Sequence, residues 1–396
     1  MKFIIIGITD NPKPWFPPEV MDIIKNGRVF SGGKRHHEIV TPLLPEGAEW
    51  IDITVPLNAV FKQYSSLSSL PIIVFASGDP LFFGFANTVL REFKGVEVKV
   101  YPSFNSLQML AHRMCLPYHD MRIVSLTGRD WDKFDEALIN GYAMIGCLTD
   151  RAKTPHTIHQ RMKEYGYTNY LMTIGENLGN DAKERVSRYD EQAVYDHPNC
   201  IILQRTEVRS RPFGIRERDF SLLNGRELMI TKMPIRLLTL QALELRERKV
   251  MWDIGFCTGS VSIEARLQFP HLRIEAFEIR TECEALIDEN ARKFGAPGIN
   301  VHIGDFLQGD ISRLPAPDAV FIGGHGGKLK EIIAKVRTVI TKGGCIVMNS
   351  VKAPKVLTDS HRLWDEACHE LELTQEPPTR IILNDNHPIE ILKATV

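Results

Sequence analysis

A loop in the second half of the chain carries residues whose types and spacing fit a nucleoside or nucleotide ligand. The stretch "VMWDIGFCTGSVSIEA" (250–265) leads from an apolar run into a helix-like segment through Gly255 and Gly259. Glycines at such a junction let the backbone approach a ligand closely, although they can also serve the turn alone. The hydroxyls of Thr258 and Ser260 can contact the ligand or cap the helix.

Cys257 helps to separate the possible cofactors. It stands two residues after Gly255, where dinucleotide-binding loops place a second glycine so that backbone amides can reach a pyrophosphate. S-adenosylmethionine has no phosphate, so a loop that passes around its methionine and sugar tolerates a cysteine. The loop therefore favours S-adenosylmethionine, and a nicotinamide-dependent dehydrogenase is the disfavoured alternative.

Two acidic residues follow the next strand-like runs. Glu278 lies about 20 residues beyond the glycines, where a carboxylate can accept both hydroxyls of a ribose. Asp305 ends "HIGD" and could meet an adenine amino group. Because the carboxyl ends of parallel strands meet at one edge of a sheet, we expect these residues and the loop to converge on one nucleoside. The alternatives are surface charge for Glu278 and helix capping for Asp305.

The composition limits the possible partners. With 48 basic and 49 acidic residues, the net charge of −1 gives no reason to expect nucleic acid, which disfavours an RNA methyltransferase. The seven cysteines are scattered without a C-x-x-C pair, which predicts a reduced cytoplasmic protein with no metal site. The opening apolar run is too short to span a membrane. The histidine pairs 36/37 and 156/159 are interpreted as solvated or locally bonded.

Short β-branched runs alternate with amphipathic segments in both halves, which predicts an α/β fold. In the first half "KFIIIGI", "PIIVFASG" and "NCIILQR" are typical of strands, and "PPEVMDIIKNG" and "NSLQMLAHRM" of helices. The alternation breaks at about 205–228, a charged stretch with proline and glycine. We therefore predict domains at 1–208 and 229–396, joined by a linker at 209–228.

The second half restarts with a helix, "MPIRLLTLQALELR", followed by alternating strands and helices from "KVMWDIG" to "CIVMNSV". Its end, "TRIILNDNHPIEILKA", predicts two strands joined by a turn at 384–386. A doubly wound sheet that closes with a hairpin is the layout of class I Rossmann-like S-adenosylmethionine methyltransferases rather than of the plain dinucleotide fold.

Both halves carry motifs of known families. "WDIGFCTGSVSIEA", "AFEIR", "HIGDF", "FIGGHGG" and the preceding "TKMPIR" resemble the decarboxylating precorrin methyltransferases of cobalamin (vitamin B12) biosynthesis. "FSGGKRHHE", "ASGDPLFFG", "PSFNSLQMLAHRMCLPYHDMRIVSLTGR" and "TIGENLG" resemble the tetrapyrrole methylases. One segment departs from the latter pattern: "GITDNPKPWF" keeps only Gly7 of the usual G-x-G-P-G and has Thr9, Asp10 and Asn11 in place of the rest.

Together the two sets resemble the fused precorrin-6Y C(5,15)-methyltransferase (decarboxylating) family and its cobalt-precorrin counterparts. The resemblance implies one S-adenosylmethionine per domain, methylation of carbon 5 by the first domain, and methylation of carbon 15 with loss of an acetate carboxyl by the second. A homo-oligomer is expected from such folds. The cofactor residues implied are Gly255, Thr258, Gly259, Ser260, Glu278, Asp305 and Gly323 in the second domain, and Ser77, Gly78, Asp79, Asn105 and Ser106 in the first.

The substrate's carboxylates require cations or hydrogen-bond donors. In the second domain the candidates are Lys232 and Arg236, which could equally be solvated helix charges, and His325, which could be a loop histidine without a role. Arg35 and His36 are the candidates in the first domain. No catalytic base is assigned, since an electron-rich tetrapyrrole carbon needs mainly positioning. Other open alternatives are a methyltransferase acting on protein and a first domain that only holds tetrapyrrole.

Overall fold

The computed structural model describes residues 1–67, 70–226, 229–351, 359–383 and 388–396. The chain divides into two compact units, the first formed by 1–129, 142–159 and 169–207, the second by 130–141, 160–168 and 208–396. The domain limits drawn from the sequence stay a prediction, because two short segments of the first half group with the second unit. No helix in the described residues is long and apolar enough to cross a membrane.

The first sheet of the first unit is entirely parallel and places the ends of its central strands side by side. Its strands are β1 (Lys2–Ile8), β2 (Val29–Gly32), β3 (Glu49–Asp52), β4 (Pro71–Ser77) and β5 (Glu97–Tyr101). They lie in the order β3-β2-β4-β1-β5. The accompanying helices are α1 (Pro18–Lys25), α2 (Lys34–Val40), α3 (Asn58–Ser66), α4 (Phe85–Glu92) and α5 (Ser106–Arg113). β1 is apolar and buried on both faces, as expected of a central parallel strand.

The second sheet of this unit is mixed. Its strands are β6 (Arg122–Ser125), β7 (Met144–Leu148), β8 (Tyr170–Glu176), β9 (Arg185–Arg188) and β10 (Asn199–Arg205). They lie in the order β6-β7-β10-β8-β9; β6 pairs with β7 in parallel, and the other neighbouring pairs are antiparallel. Leu107 and Leu110 of α5 pack against Cys200 and Ile202 of β10. Two further helices occur in this stretch of the chain: α6 (Asp132–Asn140) groups with the second unit, and α7 (Pro155–Glu164) has residues in both units.

The third sheet lies in the second unit and has the predicted doubly wound layout. Its strands are β11 (Val250–Ile254), β12 (Arg273–Glu278), β13 (Ile299–Ile303), β14 (Ala319–Ile322), β15 (Cys345–Val351), β16 (Thr374–Gln375), β17 (Thr379–Ile381) and β18 (Ile389–Thr395). Their order is β13-β12-β11-β14-β15-β18-β16, with β17 also paired to β18. β11 to β15 are parallel, and β18 is antiparallel to each strand it pairs with. This confirms the predicted fold class, whereas the predicted turn at 384–386 lies outside the described residues.

The helices of this unit are α8 (Met233–Ala242), α9 (Ser260–Gln268), α10 (Glu282–Phe294), α11 (Leu329–Arg337) and α12 (Asp359–Glu370). Short 3-10 helices occur at Glu217–Asp219 and Leu223–Gly225 in this unit and at Thr41–Leu43 in the first unit. In α9 every residue from Ser260 to Leu267 is buried, so this helix has no solvent-facing side. Its polar side chains must therefore find partners inside the protein.

Glu264 of α9 has three such partners. Its Oε1 accepts a hydrogen bond from the backbone N–H of Gly214 (2.8 Å), and its Oε2 accepts one from that of Ile215 (3.1 Å). Oε2 also pairs with Nε of Arg236 at 3.2 Å, and both side chains are fully buried. The remaining Arg236 nitrogens donate to the carbonyls of Thr231 and Ile215. This network attaches residues 214–215, which belong to the segment that the sequence predicted as a linker, to helix α9.

We predict that Glu264→Gln destabilises the fold by about 3–5 kcal/mol, because it leaves the Arg236 guanidinium buried without an anionic partner. Urea unfolding of the full chain measures the loss. Glu247→Gln at an exposed position of the same unit is the matched control and should change the free energy of unfolding by less than about 0.5 kcal/mol. Equal stabilities of the two variants would contradict a structural role for the pair.

Candidate functional site

The loop after β11 has left-handed backbone at three alternate residues. Gly255 (φ +79°), Cys257 (φ +50°) and Gly259 (φ +72°) share this conformation, although only the glycines adopt it without steric cost. A Cβ on Gly255 would lie 2.6 Å from the backbone nitrogen of Gly324. Cys257 therefore holds, at a steric cost, the left-handed conformation that the glycines on either side of it adopt freely.

Glu278 ends β12 and is held directly beside this loop. Its Oε2 accepts the backbone N–H of Cys257 (3.1 Å), and its Oε1 accepts that of Ile279 (2.8 Å). Nη1 of Arg280 lies 3.3 Å from Oε2. The carboxylate is 4% exposed. The left-handed turn at Cys257 therefore directs a backbone donor to the acidic residue that the sequence singled out.

Of the further predicted residues, Asp305 follows β13, and Gly323 and His325 follow β14. Oδ1 of Asp305 accepts the backbone N–H of Leu307 (2.9 Å), and its Oδ2 lies 3.7 Å from Nζ of Lys328. A Cβ on Gly323 would lie 2.9 Å from the carbonyl oxygen of Gly255, so the loops after β11 and β14 touch backbone to backbone.

The tautomer of His325 follows from its contacts. Its Nδ1 accepts the backbone N–H of Gly327 (3.2 Å), which leaves Nε2 protonated to donate to Oγ of Ser360 (3.1 Å). Burial lowers the pKa of this imidazole, which favours the neutral form. His325 is thus a neutral imidazole whose one N–H is directed to Ser360.

These loops enclose a cavity of about 860 Å³, within the size range of small-molecule sites. Most of its walls are apolar, with Phe256, Phe277, Phe306 and Ile235 among them. The predicted residues that line it are Lys232, Gly255, Thr258, Ser260, Glu278, Asp305, Gly323 and His325. Strand order accounts for this convergence, because β12, β11 and β14 are neighbours and end at the same edge.

The cavity wall also holds buried polar atoms without a hydrogen-bond partner. They are Oδ1 of Asp253, Oγ1 of Thr258 and Nδ2 of Asn349. Asp253 and Thr258 are each 1% exposed, and a buried polar group left without a partner costs free energy. These atoms fit a ligand with several hydrogen-bonding groups, such as the amino-acid and ribose parts of S-adenosylmethionine.

Sequence analysis missed Asp253 and Asn349. Asp253 is the last polar residue before the glycine loop, inside an otherwise apolar strand, and that position was the available signal. Its Oδ2 accepts a hydrogen bond from Oγ of Ser262 (2.6 Å). Burial raises the pKa of the Asp253 carboxyl to about 7. Asn349 lies in β15, where its sequence context gave no signal.

Two predicted residues do not reach the cavity. Gly259 lies at the start of α9, and a Cβ there would be 2.3 Å from the Ile287 side chain, so this glycine serves helix packing. Arg236 is fully buried against Glu264. The expectation that Arg236 grips a substrate carboxylate is therefore wrong in this structure. Its guanidinium has no exposed surface, and its nitrogens bond to Glu264 and to the carbonyls of Thr231 and Ile215.

In the first unit, Gly7 of β1 joins two of the predicted loops. A Cβ on Gly7 would lie 2.0 Å from the carbonyl oxygen of Gly78 and 2.6 Å from the backbone nitrogen of Ser103. The loops after β4 and β5 therefore meet at the one glycine that the altered segment keeps. A Cβ on Gly78 (φ +60°) would in turn lie 2.9 Å from Cα of Asn105.

The first-unit candidates for substrate binding cluster around Ser77. Its Oγ accepts a hydrogen bond from Nη2 of Arg35 (3.0 Å) and one from Nε2 of His36 (2.9 Å). Burial, together with the charge of Arg35, lowers the pKa of His36 to about 4, so this histidine is neutral. Nε of Arg35 also lies 3.3 Å from Oδ1 of Asp10 in the altered loop.

The other first-unit candidates have local structural contacts. Asp79 accepts the backbone N–H of Leu81 (2.9 Å), which braces its loop. Asn105 is the N-cap of α5 and exchanges hydrogen bonds with Gln108 (2.9 and 3.0 Å), and Ser106 is the first residue of that helix. These contacts fix the ends of the loops after β4 and β5.

Both histidine pairs are locally bonded, as interpreted from the sequence. The His37 ring stacks on Trp50 with centroids 4.0 Å apart, and His36 bonds Ser77. His156 bonds the hydroxyl of Tyr189 (3.0 Å), and His159 stacks on the same ring. Among the described parts of the chain, no group of three histidine, cysteine or acidic side chains is placed to hold a metal.

We predict that Asp253 makes stability fall as the pH rises. Its pKa is about 7 in the folded state and near 3.8 when unfolded, so the folded state binds the extra proton between these values. The contribution of protonated Asp253 to the free energy of unfolding is fully present below pH 3.8 and is lost as the pH rises through 7. Between these values the free energy of unfolding falls by up to about 1.4 kcal/mol per pH unit. Urea unfolding at several pH values compares the wild type with Asp253→Asn, which should lack this contribution; equal slopes would refute it.

Comparisons with known proteins agree with this architecture. The family model of the precorrin methyltransferase domain matches residues 225–376. A precorrin-6Y C(5,15)-methyltransferase (decarboxylating) from Sinorhizobium sp is 31% identical over 382 residues, which is 94% of this chain and 91% of that protein.

Two shorter relatives come from Salmonella typhimurium. A cobalt-precorrin-6B C(15)-methyltransferase (decarboxylating) is 37% identical over 134 residues, which is 34% of this chain and 68% of that protein. A cobalt-precorrin-7 C(5)-methyltransferase is 25% identical over 202 residues, which is 50% of this chain and 97% of that protein. The full-length match confirms the resemblance found in the sequence: the chain belongs to the family of decarboxylating precorrin-6Y C(5,15)-methyltransferases.

Proposed function

We propose that the chain uses S-adenosylmethionine to methylate a precorrin-6 type tetrapyrrole, metal-free or cobalt-bearing, at carbons 5 and 15, and releases a ring acetate carboxyl as carbon dioxide in cobalamin biosynthesis. The observation that carries this proposal is the match to the Sinorhizobium relative over almost the full length of both chains. The two shorter relatives are each named for one of the two carbons, which supports one methylation per domain.

In this proposal residues 229–396 methylate carbon 15 and remove the carboxyl. When bound, S-adenosylmethionine supplies an electrophilic methyl group on a sulfonium. Glu278 would accept the ribose hydroxyls, and Asp305 would accept the adenine amino group. The unpartnered atoms of Asp253 and Thr258 would pair with polar groups of the same ligand. The loop glycines Gly255 and Gly323 leave room for it.

The remaining walls would handle the tetrapyrrole. Lys232 lines the cavity at the start of α8, where its ammonium can bind a substrate carboxylate. His325 lines it from the loop after β14, and its Nε2–H would reach a substrate group by exchanging its bond to Ser360. The apolar walls at Phe256 and Phe277 exclude water. A reacting acetate placed against them would be poorly hydrated, which favours loss of carbon dioxide into the conjugated macrocycle.

Residues 1–208 would methylate carbon 5 with a second S-adenosylmethionine held by the loops at 77–79 and 105–106. Arg35 and His36 would contact the substrate beside Ser77. The altered loop, whose Asp10 pairs with Arg35, keeps one alternative: a first domain that holds tetrapyrrole without methylating it. Self-association is also proposed, on the analogy of such folds.

The test is mass spectrometry of a precorrin-6 type substrate, metal-free and cobalt-bearing, incubated with the chain and S-adenosylmethionine. We expect two added methyl groups and one lost carbon dioxide. One methyl group with loss of carbon dioxide would point to a first domain that only holds substrate. No change in either substrate would overturn the proposal and favour a protein or RNA substrate.

A paired variant assigns the second reaction to its domain. Gly255→Ala should slow carbon-15 methylation and carbon dioxide release by about 100-fold, because its Cβ meets the Gly324 backbone and displaces the loop. Methylation at carbon 5 should persist. Lys342→Ala, at an exposed position of the same unit that does not line the cavity, is the control and should retain both reactions. Loss of both methylations in Gly255→Ala would contradict the division of labour.

A further inference from the structure

Lys335 of α11 places its ammonium at a point where three backbone carbonyls converge. Nζ lies 2.7 Å from the carbonyl oxygen of Phe306, 3.0 Å from that of Leu307 and 2.6 Å from that of Gly309. An ammonium has three N–H donors, so this set of acceptors uses all of them. Lys335 therefore closes a loop that begins about 30 residues before it in the chain.

The loop at 305–309 is organised from two sides. On its inner side, Oδ1 of Asp305 accepts the N–H of Leu307 (2.9 Å), and the carbonyl of Asp305 accepts those of Gln308 and Gly309 (both 3.0 Å). On its outer side, three carbonyl dipoles point toward one another and are held together by the charge on Lys335. Without that charge these dipoles would repel, and the turn would open.

The same lysine supports the aromatic wall of the cavity. Its Nζ lies 5.3 Å from the centroid of the Phe306 ring. That ring packs edge-to-face against Phe277 with centroids 5.1 Å apart, and Phe306 and Leu307 both line the cavity. Lys335, which is not itself among the lining residues, therefore holds the backbone that carries this wall and follows Asp305 directly.

We infer that Lys335 is a positioning residue that sets the affinity of the second domain for the adenosine end of S-adenosylmethionine. This rests on the proposed function, in which Asp305 meets the adenine amino group. Lys335 touches neither the transferred methyl group nor the tetrapyrrole, so its removal should weaken cofactor binding and leave the chemical step unchanged.

Release of carbon dioxide from the substrate reports the second domain alone and provides the readout. Lys335→Met keeps an unbranched apolar stem and removes the three donors. We expect the KM for S-adenosylmethionine in this reaction to rise about tenfold, equivalent to about 1.4 kcal/mol. The kcat at saturating cofactor and the KM for the tetrapyrrole should stay within about twofold of the wild type.

Two further variants control for general damage to α11. Lys330→Met removes an exposed lysine of the same helix that pairs with Glu370, and it should behave as the wild type. Lys335→Arg should restore part of the affinity, because a guanidinium can still donate several hydrogen bonds to carbonyls.

The outcomes separate this inference from the proposed function. Wild-type protein that releases no carbon dioxide and binds no S-adenosylhomocysteine would overturn the proposed function. An active wild type together with an unchanged cofactor KM in Lys335→Met would overturn the role of Lys335. A fall of kcat and of the unfolding temperature together with a rise of both KM values would also overturn it, since that pattern indicates a merely structural residue.

Discussion

The contact between the backbone of Gly255 and that of Gly323 and Gly324 is the constraint on which the second unit's site depends. It lies between the neighbouring strands β11 and β14. From this point the chain adds β12 and β13 on one side of the sheet and β15 on the other. A Cβ on Gly255 would come within 2.6 Å of the Gly324 nitrogen, so no side chain fits between the two loops. Because the loops lie this close, the cavity opens beyond them, and the side chains that follow β12, β13 and β14 face one another across it.

The first unit uses the same device in a different sheet. There Gly7 of β1 lies against Gly78 beyond β4, closer than any side chain would allow. The segment that begins at Gly7 has lost the other glycines usual in tetrapyrrole methylases. It retains Gly7, which the close packing of these strands requires. The replaced positions lie farther along the loop, where Asp10 reaches Arg35. The altered sequence thus places a carboxylate beside the candidate substrate residue Arg35.

Charge is arranged differently at the rim of the cavity and inside the fold. Glu278 and Asp305, two of the acidic residues that line the cavity, lie beside Arg280 and Lys328, which are themselves partly exposed. Arg236 and Glu264 neutralise each other in the interior and hold the 214–215 segment. Asp253 has no cationic partner among the described residues, and burial therefore raises its pKa. A basic ligand group is the natural partner for such a carboxyl.

The sequence by itself determined the α/β class, the doubly wound second half, the glycine loop and the positions of Glu278 and Asp305. These follow from local patterns: apolar runs of strand length, glycines at a strand-to-helix junction, and acidic residues at strand ends. "NCIILQR" coincides with β10 for the same reason. The short elements β2 and α2 escaped recognition, because four or seven residues give little periodicity.

Tertiary structure alone decided which charged side chains can meet a ligand and which are paired inside the fold. Arg236 has the spacing of a helix-surface cation four residues after Lys232, yet Glu264, distant in sequence, draws it into the core. The partnerless atoms of Asp253 and Asn349, and the three carbonyls that meet at Lys335, likewise arise from segments brought together only by folding. Burial and ion pairing depend on such long-range contacts, and a local sequence pattern carries no record of them.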